Sequence, residues 1–386
     1  MVRKRARILS PGATIGMLGG GQLGRMFALV ARQFGYSVQV FGDLPDSPCG
    51  QISDRVWNNP FTDETALNEF ARSVDVVTYE FENIPVSTVS YLTERVEVRP
   101  GVELLRAAQH RLLEKNGLRA IGIPTADFLR ISSVQELREG IRQLGGSGIL
   151  KTVTMGYDGK GQAKLNQSSD VDAVWTKFNV KEAILEQEIH FDCEISVVGS
   201  RFPDGTIHCF QPSLNHHENH ILDVSVTPAP VISTNVVLEA KQITSAILEH
   251  FDVIGVLCVE FFLSRDGSLL VNEIAPRPHN SGHLTIDACG SSQFEQQLRA
   301  VCGLPSGDVT QHRPAAMINL LGDHLQVVDS DCWKRVFGLK DVHVHMYGKS
   351  EARIGRKMGH MTAIADTDQT AEALARHARA ILMKTV

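Results

Sequence analysis

Two hydrophobic periods divide this chain into elements. Residues 14 to 20, TIGMLGG, read as a strand running into glycines. The following GQLGRMFALVARQFG gathers its apolar residues on one helical face, and YSVQVFGD is strand-like again. Strand, glycine turn, helix and strand open a doubly wound α/β domain. A helix over Thr62 to Ala71 and a β-rich run over Val74 to Tyr79 continue it, and the segment closes near Pro100 and Gly101. A polar helix from Leu104 to Asn116 then leads into strands around Ile149 to Thr152, Ala183 to Glu186 and Glu194 to Val198. A helix near Gln293 to Val301 follows. From Pro314 the pattern is β-rich until a last helix over Thr370 to Met383, and no repeat or low-complexity segment interrupts it.

The segment Gly255 to Ala275, GVLCVEFFLSRDGSLLVNEIA, carries two alternating apolar runs around Asp266-Gly267, a strong hairpin signal. If those two residues form the loop, counting back along both strands sets Glu260 opposite Glu273. Opposed side chains have Cβ atoms roughly 5 Å apart, and like charges there destabilise a sheet unless a cation lies between them. An all-oxygen pair suits magnesium better than a transition metal. Solvent exposure of both acids is the competing reading, and a one-residue slip would separate them.

Length and composition narrow the classes. A chain of 386 residues exceeds one typical core, so two or three domains are expected. Hydrophobic content of 43% and charged content of 21% are those of a globular protein. The net charge of −6 argues against a nucleic-acid partner. The seven cysteines, from Cys49 to Cys332, are widely spaced and contain no CxxC pair, which points to reduced thiols in a cytoplasm. The basic N-terminus lacks an apolar stretch long enough for a signal peptide, and no membrane span is expected.

Gly19-Gly20-Gly21-Gln22-Leu23-Gly24 fits GxGxxG, with Asp43 at the end of the next strand, so a nicotinamide or flavin oxidoreductase is a rival reading. A second glycine-rich stretch, MGYDGKGQ after Lys151-Thr152, reads instead as a mobile lid whose amides and Lys151 close on a triphosphate. Near the C-terminus Lys349, Arg353, Arg356 and Lys357 lie among glycines and suggest a dianionic phosphate pocket. Asn215 to His220 carries three histidines. The β-like ILDVSVTPAP after it argues against the helix that would align them on zinc.

The motifs GGGQLGRM, YEFENIP, GIPTADF, KTVTMGYDGKGQ, EQEI, VEFF with NEIAPRPHNSGH, and RKMGH occur in one order over roughly residues 14 to 362. In this set the chain resembles the 5-(carboxyamino)imidazole ribonucleotide synthetases, ATP-grasp enzymes of purine biosynthesis. The resemblance implies an α/β and α+β architecture. An N-terminal Rossmann-like domain would span 1–105, a two-part ATP-grasp domain 106–312 with its lid about 120–190, and a small β-rich C-terminal domain 313–386. It implies a cytoplasmic homodimer that turns aminoimidazole ribonucleotide, bicarbonate and ATP into the carboxyamino product, ADP and phosphate with two magnesium ions.

On matching positions, Arg111, Lys151, Glu186, Gln187, Ile189, Glu194, Asn215, His217 and Asn272 would bind ATP. Glu260, Glu273 and Asn272 would hold metal. Gly21, Gln22, Leu23, Glu80, Glu82, Tyr157, Asp158, Lys349 and Arg356 would bind the ribonucleotide. Asp158, Arg277, His279, Asn280 and Lys349 would serve the chemistry, with Asp158 either a base or an orienting group. Strict alternation puts Asn272 on the face away from Glu273, so joint ligation requires a bulge. The chain departs from the family at His220, where glycine is usual, and at Lys160, where arginine is usual. A formate-dependent glycinamide ribonucleotide transformylase and a non-catalytic nucleotide-binding scaffold remain as alternatives.

Overall fold

The structure, a computed structural model, describes residues 7–154, 156, 161–230 and 232–385. The first segment forms a parallel four-stranded sheet in the order Arg55–Trp57, Ser37–Phe41, Thr14–Leu18, Val76–Tyr79. Gly19 turns the chain out of the first strand at φ 91°, a left-handed conformation that glycine adopts without steric cost. Helix Gln22–Gln33 buries Met26, Phe27 and Ala31 in one cluster with Phe294, Leu298 and Val301 of helix Gln293–Val301. The N-terminal segment is thus packed onto the rest of the molecule through a shared apolar core.

The single helix expected from Leu104 to Asn116 is two, Val102–Ala108 and Arg111–Ala120. Both bury leucines, which is why the apolar period runs through the break. The interruption falls where His110 is extended and Gln109 donates its side-chain amide to the carbonyls of Glu82 and Ile84. Tertiary hydrogen bonds with the N-terminal segment therefore override local helix propensity.

Two antiparallel sheets follow. The smaller has the order Phe128–Ile131, Ala183–Glu186, Ser147–Thr152, Gln162–Asn166. Helices Val134–Gln143 and Val171–Phe178 cover it over Leu137, Ile141, Leu150 and Leu185. The larger sheet has nine strands, from Leu269–Ala275 and Gly255–Leu263 through Cys193–Arg201, Ser213–Glu218 and Ile221–Thr227 to Ala315–Leu321, Lys357–Ile364 and Val342–Met346. Its short ninth strand, Ile207–Cys209, pairs with Cys193–Arg201. The β-rich C-terminal segment therefore makes no sheet of its own; it extends the central one. Helix Asp368–Leu382 covers that extension with Ala371, Ala375, Ala378 and Ile381. No helix among the described residues is long and apolar enough to cross a membrane.

Gln297, 1% exposed, joins three elements. Its side-chain oxygen accepts from the Val256 amide at 2.6 Å, and its amide nitrogen donates to Thr78 Oγ1 at 2.9 Å. A Cβ on Gly255 would lie 2.8 Å from that oxygen, so glycine permits the approach. We expect Gln297→Leu to destabilise the protein by about 2 to 4 kcal/mol, because two buried polar groups lose their partners. Urea unfolding checks this, and an unchanged midpoint would show that the two contacts contribute nothing.

Candidate active site

The hairpin pairs Glu260 with Glu273, but not by the expected two-residue loop. Ser264 donates to the Ser268 carbonyl at 3.0 Å, leaving the three residues Arg265, Asp266 and Gly267 as the loop, with Gly267 left-handed at φ 85°. That geometry sets Leu263 opposite Leu269 and Phe261 opposite Val271. The register then shifts between Glu260 and Phe261, and Asn272 is the residue left over. Two one-residue departures cancel. The bulge also removes the alternation conflict, since Glu260, Asn272 and Glu273 all line the same cavity.

That cavity, about 670 Å³, lies between both antiparallel sheets and the glycine turn. Gly21, Gln22, Leu23, Glu80 and Glu82 reach it from the N-terminal segment, and Arg111 and Lys151 from the side of the smaller sheet. Glu194, His217, Arg277, His279 and Asn280 complete the predicted residues on its wall. Gln187 is exposed, Ile189 borders a separate surface recess, and Tyr157, Asp158 and Lys160 lie outside the described residues.

Glu186 and Asn215 stand behind the wall. Lys151 Nζ donates to Glu186 Oε2 at 2.7 Å. Burial would raise the Glu186 carboxyl, but Lys151 and Lys115 hold it below the usual range. Asn215 begins a buried chain of hydrogen bonds. It donates to Ser196 at 2.9 Å, Ser196 meets Ser281 at 2.7 Å, and Ser281 meets His279 Nδ1 at 2.8 Å. His279 Nε2 then lies 2.9 Å from Glu260. Each hydroxyl can donate or accept, so the chain orients the imidazole in either protonation state.

Internal ion pairs dominate the wall. Burial alone would lower His279, but Cys258 and Glu260 carry it up to about 10. Arg277 binds Glu82 through both Nε and Nη2, and despite burial the guanidinium brings the Glu82 carboxyl down to about 2. Arg111 lies 3.4 Å from Glu273, and His217 lies 3.1 Å from Glu194. Burial disfavours the His217 cation, yet Glu194 raises it overall. Both side-chain polar atoms of Asn280 are buried with no partner among the described residues, so this wall has unspent hydrogen-bonding capacity.

The glycine turn holds an internal carboxylate. Gly21 and Gly24 amides donate to Glu80, the latter at 2.7 Å, and Gly20 donates to Asp43 at 3.0 Å. The helix N-terminus that would receive a dinucleotide pyrophosphate is already occupied, and Asp43 is committed to the turn itself. This overturns the oxidoreductase reading.

Of the C-terminal cations, Lys357 lines the cavity, whereas Lys349 and Arg356 do not. Lys349 donates to the Lys357 carbonyl at 2.7 Å, and Arg356 donates to the Glu351 carbonyl at 2.9 Å. Burial first, then Arg356, brings the Lys349 ammonium down to about 8. The histidine run forms a hairpin whose Asn219 and His220 both have positive φ, 49° and 65°, which explains why glycine serves well at 220. His343 and His345 face Asp287, and His345 stacks on His360 at 4.6 Å.

Sequence reasoning missed Lys115, His283 and the stacked Phe191–Phe262 pair, whose rings lie 4.5 Å apart. For Lys115 a signal existed, since it follows Arg111 by four residues on one helix face.

Three segments match described families in order: a ribonucleotide synthetase preATP-grasp domain over residues 12–109, an ATP-grasp domain over 116–294, and a phosphoribosylaminoimidazole carboxylase C-terminal domain over 315–374. The chain is 40% identical to an N5-carboxyaminoimidazole ribonucleotide synthase of Bacillus subtilis, with 92% of each chain covered. It is 42% identical to one of Brucella melitensis, covering 92% of this chain and 97% of that one. It also spans 38% of the length of a bifunctional purine synthesis protein of Dictyostelium discoideum, at 42% identity. Among solved structures, an ADP complex of an N5-carboxyaminoimidazole ribonucleotide synthetase superposes with a TM-score of 0.91 at 39% identity, covering 97% of this chain and 98% of that one. An Aspergillus clavatus enzyme in complex with ADP and 5-aminoimidazole ribonucleotide superposes at 0.86 with 28% identity, covering 97% and 99%. With all three segments matched and nearly full coverage on both sides, the chain belongs to the ATP-grasp family of N5-carboxyaminoimidazole ribonucleotide synthases.

Proposed function

We propose that this chain uses ATP to carboxylate the exocyclic amine of 5-aminoimidazole ribonucleotide with bicarbonate, yielding N5-carboxyaminoimidazole ribonucleotide, ADP and phosphate. The observation that carries this reading is the bulged hairpin, which turns Glu260, Asn272 and Glu273 into one cavity with Lys151 and Arg111. Three oxygen-bearing side chains with no thiolate or imidazole among them suit magnesium. One or two such ions would neutralise charge that develops on the phosphoryl group in transfer.

Bicarbonate is a poor electrophile, so one of its oxygens first takes the γ-phosphoryl group of ATP. Lys151 and Arg111 hold the phosphate chain, each exchanging an internal carboxylate for a phosphate oxygen. Arg277, His279 and Asn280 bind the bicarbonate and the carboxyphosphate formed from it. Asn280, whose side-chain nitrogen and oxygen have no partner among the described residues, can donate to an oxygen of these groups and accept from a hydroxyl. The amine nitrogen then bonds to the carboxyl carbon, directly or after carbon dioxide is released in place. Phosphate leaves, and the proton lost by the amine passes to Asp158. On the matching positions Tyr157 meets the ribonucleotide. Glu194 and His217 meet the ATP ribose, with Gln187 and Ile189 at the adenine. Gly21, Gln22, Leu23, Glu80 and Glu82 meet the ribonucleotide, whose phosphate goes to Lys349, Arg356 and Lys357. The reading extends to a cytoplasmic homodimer. The resemblance supports the dimer, and seven free cysteines support the compartment.

ADP release measured with bicarbonate, with and without the ribonucleotide, tests the reaction. Product should form only when all three substrates are present, and ADP release that ignores the ribonucleotide would overturn the assignment. We expect Glu273→Gln to fold normally and to slow ADP formation about a thousandfold, since several kcal/mol of charge stabilisation is lost. Turnover equal to the parent at saturating magnesium would remove Glu273 from the metal site.

His279 also makes stability depend on pH. Its folded pKa, raised from 6.5 to about 10, means that the pair with Glu260 stabilises fully below 6.5, and that this contribution fades as pH rises through about 10. The stability gap between the parent and His279→Gln, measured by urea unfolding, should therefore be larger at pH 6 than at pH 10.5. An equal gap at both would mean that the imidazole is not charged in the folded protein.

A further inference from the structure

We propose that Lys115 is a positioning residue for the metal-binding strand. It donates to the Asn272 carbonyl and so holds the bulge that turns Asn272 and Glu273 into the cavity together. It also faces Glu186 and ties that bulge to the smaller sheet. The inference rests on the magnesium reading of Glu260, Asn272 and Glu273.

Lys115 is 1% exposed, and a buried ammonium is costly unless acceptors surround it. Its Nζ lies 3.1 Å from the Asn272 carbonyl oxygen and 3.5 Å from Glu186 Oε1. Those acceptors belong to different sheets. Asn272 is on strand Leu269–Ala275 of the large sheet, while Glu186 ends strand Ala183–Glu186 of the small one and receives Lys151 on its other oxygen. Helix Arg111–Ala120, which carries Lys115, also carries Arg111 toward Glu273. One helix face therefore braces both sides of the cavity.

The extra residue of a bulge stands outside the regular ladder, so its carbonyl needs an acceptor's partner from elsewhere. Lys115 supplies it. Without that donor, the relaxed alternative is a strand with no bulge, in which the loop-side register continues and Phe261 opposite Val271 is followed by Glu260 opposite Asn272. Glu273 would then fall opposite Val259 and turn to the other face of the sheet. The metal set would lose a carboxylate although no metal-facing side chain had been changed.

The test is Lys115→Met, which keeps the aliphatic stem and removes the donor. Manganese binding in the presence of ADP, followed by electron paramagnetic resonance, reads the site without turnover. The half-saturating magnesium concentration for ADP release and the KM for the ribonucleotide complete the measurement. We expect a manganese Kd and a magnesium half-saturation raised at least about tenfold, the scale seen when an outer partner of a metal ligand is lost, with the ribonucleotide KM unchanged. Glu273→Gln is the control. If that variant binds manganese like the parent, the metal reading itself fails; if it binds weakly while Lys115→Met does not, the role of Lys115 is overturned. A purely charge-balancing role for Lys115 predicts that adding Glu186→Gln to Lys115→Met restores manganese affinity, an outcome that also overturns the proposal. Should Lys115→Met fail to fold, Lys115→Gln retains an N–H donor without the charge. Manganese affinity within about threefold of the parent then supports donation to Asn272, and a tenfold loss overturns it.

Discussion

Five glutamates line one cavity and Glu186 stands behind it, and holding that many acids together shapes the rest of the site. Most of these acids have a cation beside them: His279 for Glu260, Arg111 for Glu273, Arg277 for Glu82, His217 for Glu194 and, behind the wall, Lys151 and Lys115 for Glu186, while Glu80 is held by the Gly21 and Gly24 amides. Isolated, such charges would cost several kcal/mol each. Paired, they form a polar cavity whose charges already balance. On the proposed reading, the phosphates of a nucleotide enter by exchanging partners with these acids rather than by meeting unpaired buried cations. The cations come from three places, Arg111 and Lys115 from one helix, Lys151 from the smaller sheet, and Arg277 and His279 from the segment that follows strand Leu269–Ala275.

Much of this was legible in the chain because it depends on local order. The Asp266-Gly267 signal found the hairpin, and the period of apolar residues found the parallel sheet and the C-terminal helix. Yet the opposition of Glu260 and Glu273 was reached through a loop of the wrong length, and only the bulge at Asn272 restored the pairing. A register argument can thus succeed by cancellation. The conflict over which face Asn272 occupies was the sign that one residue was unaccounted for.

What remained hidden depends on contacts distant in sequence. Nothing local marks Gln109 as the residue that breaks a helix, because its partners lie in the loop at Glu82 and Ile84. Gln297 reads as a polar helix position, and its two bonds reach a strand of each neighbouring segment. Arg356 and Lys357 are adjacent and chemically alike, and only the start of strand Lys357–Ile364 decides which of them faces the cavity. The glycine turn misled in the opposite way, since its sequence is that of a phosphate cradle and its occupant is Glu80.

That occupant changes what the turn offers the cavity. A helix N-terminus ordinarily draws anions, but here its amides are spent on a carboxylate that presents acceptors to the cavity. Glu80 therefore brings acceptors to a wall where the glycine pattern alone would set donors, and Lys357 lines the same cavity. One glutamate lodged in a glycine turn thereby inverts it: what the sequence spells as a bed of donors for an anion meets the cavity as a set of acceptors.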